Sequence, residues 1–223
     1  MLVCENLSLK INEKTIFSNL SFSCFRGCFL YLKGKNGSGK TSLLRMIAGI
    51  QKFDSNNKCD SEYYLPSSKE NQNLKTKQHN SHAKILINSI SIDAIEKPFA
   101  LYIGHKNGMR MEMSVMDNLI FWTKIYNSEL MLIAAIHYWK LNDILDEKCY
   151  KLSAGNMRKV SLARLMCCSS DLWLLDEVDV NLDEGNRELL FNAIKIKIEN
   201  GGIVLFSSHY NTKGKPAIDL DYF

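Results

Sequence analysis

The chain has no long apolar run. No stretch approaches the roughly 20 apolar residues that a membrane-spanning helix needs, so any membrane crossing is left to a partner. The opening Met1-Leu2-Val3-Cys4-Glu5 has no basic segment followed by an apolar one, so no secretory signal is expected there. A large excess of charge of one sign is lacking as well. The formal net charge of +4 is small and scattered, which argues against nucleic acid as a partner. Paired cysteine motifs are missing. The seven cysteines, at 4, 24, 28, 59, 149, 167 and 168, are odd in number and form no C-x-x-C couples with zinc spacing. Reduced, buried thiols in a reducing compartment are expected instead. What remains is ordinary globular composition: 223 residues, 46% hydrophobic and 23% charged, enough for one large domain with a full core.

Against that background one segment is specific. Gly34-Lys35-Asn36-Gly37-Ser38-Gly39-Lys40-Thr41, followed by Ser42, has the form G-x-x-x-x-G-K-[ST]. Its glycines let successive backbone N–H groups converge on a phosphate, Lys40 adds a cation for the β/γ oxygens, and the Thr41 hydroxyl can ligate Mg²⁺. The context fits: residues 28–33 read as a short strand, and 42–48 carry Leu43, Leu44 and Ile47 at helical spacing with Gly49 as a stop. A helix starting here aims its positive end at the same phosphates. ATP with Mg²⁺ is the expected ligand.

Residues 3–11 and 15–25 read as two arms of a hairpin around Asn12-Glu13-Lys14. Residues 54–84 are rich in Asn, Ser, Lys and Gln, and are expected to form a peripheral polar loop. Residues 85–95 regain apolar character and are expected to lead into the core sheet through 99–103. From 106 to 149 the pattern is helical, with Val115, Leu119, Trp122, Ile125 and Tyr126 sharing one face, and Leu132, Ile136 and Trp139 another. Strands at 172–175 and 202–207 flank a helix at about 183–199. Continuous apolar strands alternating with helices imply a parallel sheet covered on both faces. The fold class expected is α/β, one domain over 1–223, with a helical lobe at about 106–165.

Two further elements carry chemistry. Asp176 and Glu177 end the apolar strand Leu172-Trp173-Leu174-Leu175, expected beside the P-loop strand. Asp176 can hold Mg²⁺ directly or through water, and Glu177 can orient or deprotonate an attacking water. The other is Leu152-Ser153-Ala154-Gly155-Asn156-Met157-Arg158, in which Ser153 is a good N-cap. A capped helix without a ligand is one reading; the other is an anion site built from a hydroxyl, a glycine backbone and a helix N-terminus.

The L-S-A-G-x-x-R segment ahead of the Asp176-Glu177 strand resembles the signature motif of ATP-binding cassette (ABC) proteins. Asn181-Leu182-Asp183 sits where that family has its D-loop, and Ser208-His209 follows the next strand, as its switch histidine does. The resemblance spans 34 to 209. It implies a RecA-like core sheet, an N-terminal antiparallel β subdomain and an inserted helical lobe. It also implies a head-to-tail dimer with a second copy of the chain. Each ATP would then lie between one P-loop and the other copy's signature motif. Ser153 and Gly155 would act in trans on the γ-phosphate, Asp183 would cross the seam, and His209 would hold Glu177 and water in line.

Three positions depart from the family pattern. His105 occupies the place of a metal-ligating Gln, and an imidazole suits a hard cation poorly, so contact through water is an equal alternative. Val178 replaces a usual Pro and should loosen the turn after Glu177. Ile11 stands where an adenine-stacking aromatic is common, so base discrimination should be modest. Tyr102-Ile103-Gly104-His105, then Met113-Ser114-Val115-Met116-Asp117-Asn118-Leu119 and Gly201-Gly202-Ile203-Val204, resemble the cytochrome c maturation group, the haem exporter ATP-binding subunit family. That resemblance implies an ATPase (ATP + H₂O to ADP + phosphate) at the cytoplasmic face of the inner membrane, held by integral membrane subunits. Docking is expected around 106–126. A cassette for another cargo, or an ATP-gated assembly module without transport, remains the alternative. Long coiled coils, zinc modules or a second cassette, marks of mechanical, repair and translation ABC proteins, are not present in the sequence.

Overall fold

The computed structural model describes residues 1–52, 83–96, 98–208 and 216–222. The polar segment expected at 54–84 lies outside the described residues up to position 82.

The chain opens with β1 (Leu2–Ile11) and β2 (Lys14–Cys24), an antiparallel hairpin whose register closes Ile11 against Lys14. Its two linking residues, Asn12 and Glu13, have φ of 48° and 64°, the double left-handed turn that matches strand twist. β3 (Phe29–Lys33) then leads through the P-loop to α1 (Lys40–Ile47), two residues earlier than the spacing of apolar positions suggests. Ala48 caps α1, and Gly49, at φ 67°, ends it in the left-handed conformation that glycine tolerates.

Residues 85–95 do lead into the core sheet through 99–103, but they first join a second sheet. β4 (Lys84–Ile87) pairs antiparallel with β1, and β5 (Ile90–Ser91) pairs with β4, giving a four-stranded sheet in the order β2-β1-β4-β5. Ile85 is fully buried in the cluster this sheet shares with α1, around Leu2, Leu7, Phe17, Leu43 and Ile47. That apolar stretch completes a face the hairpin alone leaves open.

β6 (Ala100–Ile103), β7 (Leu172–Asp176), β8 (Ile203–Ser207) and β9 (Ala217–Asp219) join β3 in a parallel sheet ordered β6-β7-β8-β3-β9. All five residues of β7 and of β8 are buried, as parallel strands covered on both faces require. The strand carrying Asp176 is therefore not next to the P-loop strand, as the sequence suggested. β8 lies between them, and the two sites share one edge because all three strands run the same way.

Between β6 and β7 lie α2 (Val115–Ile125), α3 (Leu132–Tyr138) and α4 (Ala154–Cys167), joined by 3₁₀ turns; α5 (Glu184–Glu199) follows β7. The helical pattern from 106 is interrupted at its start. Gly108 has φ 66°, and α2 begins only at a reciprocal cap, in which the Ser114 hydroxyl accepts from Asp117 N–H and Asp117 accepts from Ser114 N–H. Val115 and Leu119 are fully buried, whereas Ile125 turns out to the flank and is 40% exposed. Trp139, the largest fully buried side chain, centres the lobe. Among the described residues the cysteines are free thiols, buried except Cys28, and no helix is long and apolar enough to cross a membrane.

Candidate nucleotide site

The P-loop is shaped by what its glycines leave out. A Cβ on Gly34 would come within 2.9 Å of the Ser38 Cβ, and one on Gly39 within 2.9 Å of Ile16 and Phe17. Gly34, Gly37 and Gly39 have φ of 139°, 86° and 94°, conformations that turn the backbone tightly. Gly39 caps α1 through its backbone alone, with no side chain over the first N–H groups. Those donors and the dipole of α1 are left for an anion.

Lys40 is 6% exposed, and its ammonium donates to the carbonyls of Gly34 (2.7 Å) and Lys35 (3.0 Å). The cation is thus curled over the loop. The buried Ser38 Oγ has no hydrogen-bond partner. Orphaned hydroxyl, glycine cradle and curled lysine all fit a bound polyphosphate. Lys14, Ile16, Lys35, Asn36, Leu220 and Asp221 line a cavity of about 260 Å³ beside the loop. Ile11, 46% exposed at the end of β1, offers no ring for a base.

Asp176 is 2% exposed and closes β7. Ser207 Oγ, at the end of β8, donates to its Oδ1 (2.7 Å), and the Tyr102 hydroxyl, from β6, donates to its Oδ2 (3.2 Å). Arg45 Nε of α1 donates in turn to the Tyr102 oxygen at 3.4 Å. Burial, with the nearby Asp176 charge adding to it, raises the Tyr102 pKa, so the phenol stays a donor. The carboxylate is fixed from two strands while each oxygen keeps capacity for another partner.

Glu177 follows in the left-handed region, φ 52°, where a non-glycine residue is uncommon. Its N–H donates to Ser207 O (2.9 Å) and Oγ (3.1 Å), and its carbonyl accepts from Arg158 Nη2 (2.9 Å). Val178 is fully buried, and its carbonyl accepts from Arg158 Nε (3.0 Å). The turn expected to be loose is therefore pinned from both sides.

Of the remaining described candidates, Ser153 and Asp183 bond at the start of their own helices. His105 is exposed, just beyond β6. Ser153 is the N-cap of α4, exposed, its hydroxyl accepting from Asn156 N–H (3.2 Å); a Cβ on Gly155 would meet Asn181 O at 3.6 Å. Asp183, also exposed, caps α5 by accepting from Asn186 N–H at 2.7 Å. His209 lies outside the described residues. The preceding Ser208 donates to the buried Asp179 at 2.6 Å. Among the described residues no three His, Cys, Asp or Glu side chains converge as a ready-made metal cage. Thr41 and Asp176 could contribute oxygens to a cation otherwise held by phosphate and water, the usual habit of Mg²⁺.

Sequence reasoning gave no role to Tyr102, Ser207, Arg158 or Asp221, although Tyr102 and Arg158 stand within motifs it quoted. Arg158 left a signal, a charge on the face of α4 shared by Ser161, Leu162 and Leu165. Asp221 left none: its carboxylate accepts Lys35 N–H (3.0 and 3.2 Å) across 186 positions.

A glycine cradle at a helix N-terminus, with an acidic strand end on the same sheet edge, defines a P-loop nucleotide-binding cassette. The family described as ABC transporter matches residues 17–180. A putative ABC transporter ATP-binding protein from Pyrococcus furiosus superposes with a TM-score of 0.75 at 20% identity, covering 100% of this chain and 98% of that one. A dimeric post-hydrolysis ATP-binding cassette bound to ADP and Pi does so with a TM-score of 0.70 at 16% identity, over 94% and 88%. The cytochrome c biogenesis ATP-binding export protein CcmA of Rickettsia bellii is 46% identical over 217 residues, 97% of each chain. That of Wolbachia pipientis is 36% identical, over 96% of this chain and 91% of the relative. The chain belongs to the CcmA family of ABC transporter ATP-binding proteins.

Proposed function

We propose that this chain is the ATP-hydrolysing subunit of a cytochrome c biogenesis export complex with haem as its cargo, working as a head-to-tail pair bound to integral membrane subunits. The observation that supports it most is the concentration of a buried lysine, a glycine cradle, a fixed carboxylate and a pinned acid at one sheet edge. Family membership supplies the reaction, ATP + H₂O to ADP + phosphate.

Lys40 exchanges its two carbonyl partners for phosphate oxygens, and the free N–H groups of α1 bind the same anion. Thr41 and Asp176 would hold Mg²⁺, with His105 reaching it through water; bound there, the ion would neutralise charge on the β- and γ-phosphates. Glu177 holds the attacking water in line and takes its proton as the bond to phosphorus forms. His209 steadies that water from beyond β8. Ser153, Gly155 and Asp183 complete the site from the other copy, offering a hydroxyl and backbone N–H groups where negative charge grows. The membrane subunits dock on 106–126, on the cytoplasmic face of the inner membrane. The whole chain, 1–223, acts as one nucleotide-binding domain with the helical lobe at 106–165.

The test is steady-state phosphate release from the complex with its co-purifying membrane subunits, against Glu177→Gln. Loss of turnover with ATP binding retained is expected, together with membrane proteins of the haem-handling kind. Hydrolysis at full rate by a demonstrably solitary chain overturns the paired mechanism, and a co-purifying peptide or lipid permease overturns the cargo.

A further inference from the structure

We infer that Arg158 is a positioning residue for hydrolysis, fixing the backbone that carries Glu177 and tying it to the 104–107 segment. The inference rests on Glu177 acting on the attacking water. Arg158 is 4% exposed, yet each of its three nitrogens is engaged. Nε donates to Val178 O at 3.0 Å and Nη2 to Glu177 O at 2.9 Å; Nη1 donates to Gly104 O at 3.0 Å and Asn107 Oδ1 at 3.1 Å. Three of the four acceptors are main-chain carbonyls, which cannot relocate without moving the backbone itself.

The two arms reach different segments. One holds the turn after β7 from its carbonyl side, while Ser207 holds it from the amide side. Glu177 keeps its left-handed φ of 52° between these clamps, and such conformations persist where the surroundings over-determine them. The other arm holds the residues flanking His105. Ser161, one helical turn on, donates to Asn107 O at 3.0 Å, so α4 grips this segment twice.

A buried charge is costly unless fully paired, and an apolar residue would serve better for packing alone. Burial lowers the Arg158 pKa, with Asp179 and Asp176 opposing that shift. The planar guanidinium reaches all four acceptors in fixed directions; a lysine ammonium has three donors and cannot span them. The guanidinium thus leaves no slack between Gly104–Asn107 and the peptide of Glu177.

The experiment uses the full chain in complex with its membrane subunits and Mg-ATP, comparing Arg158→Lys, Asn107→Ala and Glu177→Gln. For Arg158→Lys, kcat is expected to fall on the order of 10²-fold, the size of a misplacement of about 1 Å. For Asn107→Ala, which removes one charge-assisted bond, it is expected to fall about tenfold. KM and ATP affinity are expected to stay within about twofold in both, as when only the transition state loses stabilisation. Wild-type kcat in folded Arg158→Lys overturns the inference, as does a loss of affinity equal to the loss of rate. Should Arg158→Lys fail to fold, Asn107→Ala decides: unchanged kcat overturns the inference, and lower kcat at unchanged affinity upholds it. Wild-type turnover by Glu177→Gln would instead sink the role of Glu177 itself.

Discussion

The two ends of the proposed site are built in opposite ways. At the P-loop end, Lys40 and Asp176 are buried, and carbonyls, Ser207 and Tyr102 hold them in place before any ligand arrives. At the signature end, Ser153 and Asp183 are exposed, and each bonds only the first turn of its own helix. At the first end Asp176 is pre-organised, and Lys40 has only to trade its two carbonyls for phosphate oxygens. The second is display. A surface hydroxyl on a helix N-terminus can turn toward an incoming anion at little cost, which suits a group meant for a neighbour. On the proposed reading, one chain holds the machinery for binding and for activating water, while Ser153 and Asp183 face outward toward a second copy.

The largest test of this contrast is Glu177→Gln. Turnover should drop on the order of 10²–10⁴-fold as the water loses its base, with ATP binding intact in a filter assay. Next is Lys40→Ala, which removes a charge-assisted contact of about 2–3 kcal/mol and should weaken ATP affinity roughly 30- to 150-fold by titration calorimetry. Ser153→Ala sharpens the contrast from the other side. Its turnover should fall about tenfold, the scale of one such bond, while ATP affinity measured at dilutions that keep chains apart stays unchanged. An affinity loss there would mean that Ser153 serves its own P-loop. Tyr102→Phe deletes one bond to Asp176, about 1 kcal/mol, and calorimetry should show Tm lower by about 2–4 °C.

The smallest effect lies away from the site. Ser114→Ala should cost about 1 kcal/mol through the α2 cap and leave ATP affinity untouched. The Ser114 hydroxyl and N–H hold the Asp117 pKa below its ordinary value. A carboxyl depressed in the folded state stabilises above its unfolded pKa, and that share is lost as pH falls through the folded one. The difference in Tm between wild type and Ser114→Ala should therefore narrow below about pH 4.

Much of this was legible in the chain. Glycine spacing announced the P-loop because a tight phosphate turn tolerates few other residues, and unbroken apolar runs announced β7 and β8 because parallel strands are buried on both faces. The hairpin was visible from alternation around Asn12-Glu13. Strand order was not, since β8 enters between β3 and β7 through contacts that no local pattern encodes. Nor was the fate of 85–95, whose apolarity fits either sheet until β1 offers an edge. Ile125 shows the limit of periodicity: it lies on the flank of its helix, and the width of the neighbouring surface decides its exposure. Around the acids, the bracing by Tyr102, Ser207 and Arg158 comes from three separate segments, and only the folded chain brings them together.

β3 has β8 on one side and β9 on the other, both drawn from residues 203–219, far from it along the chain. During synthesis the phosphate loop emerges well ahead of both, and among the described residues its strand gains its parallel neighbours only with 203–219. A nascent chain cannot assemble this pocket in halves. Closing the sheet behind the phosphate loop is thus a long-range event, and deletion of 203–219 is expected to abolish ATP capture even though the loop itself is intact.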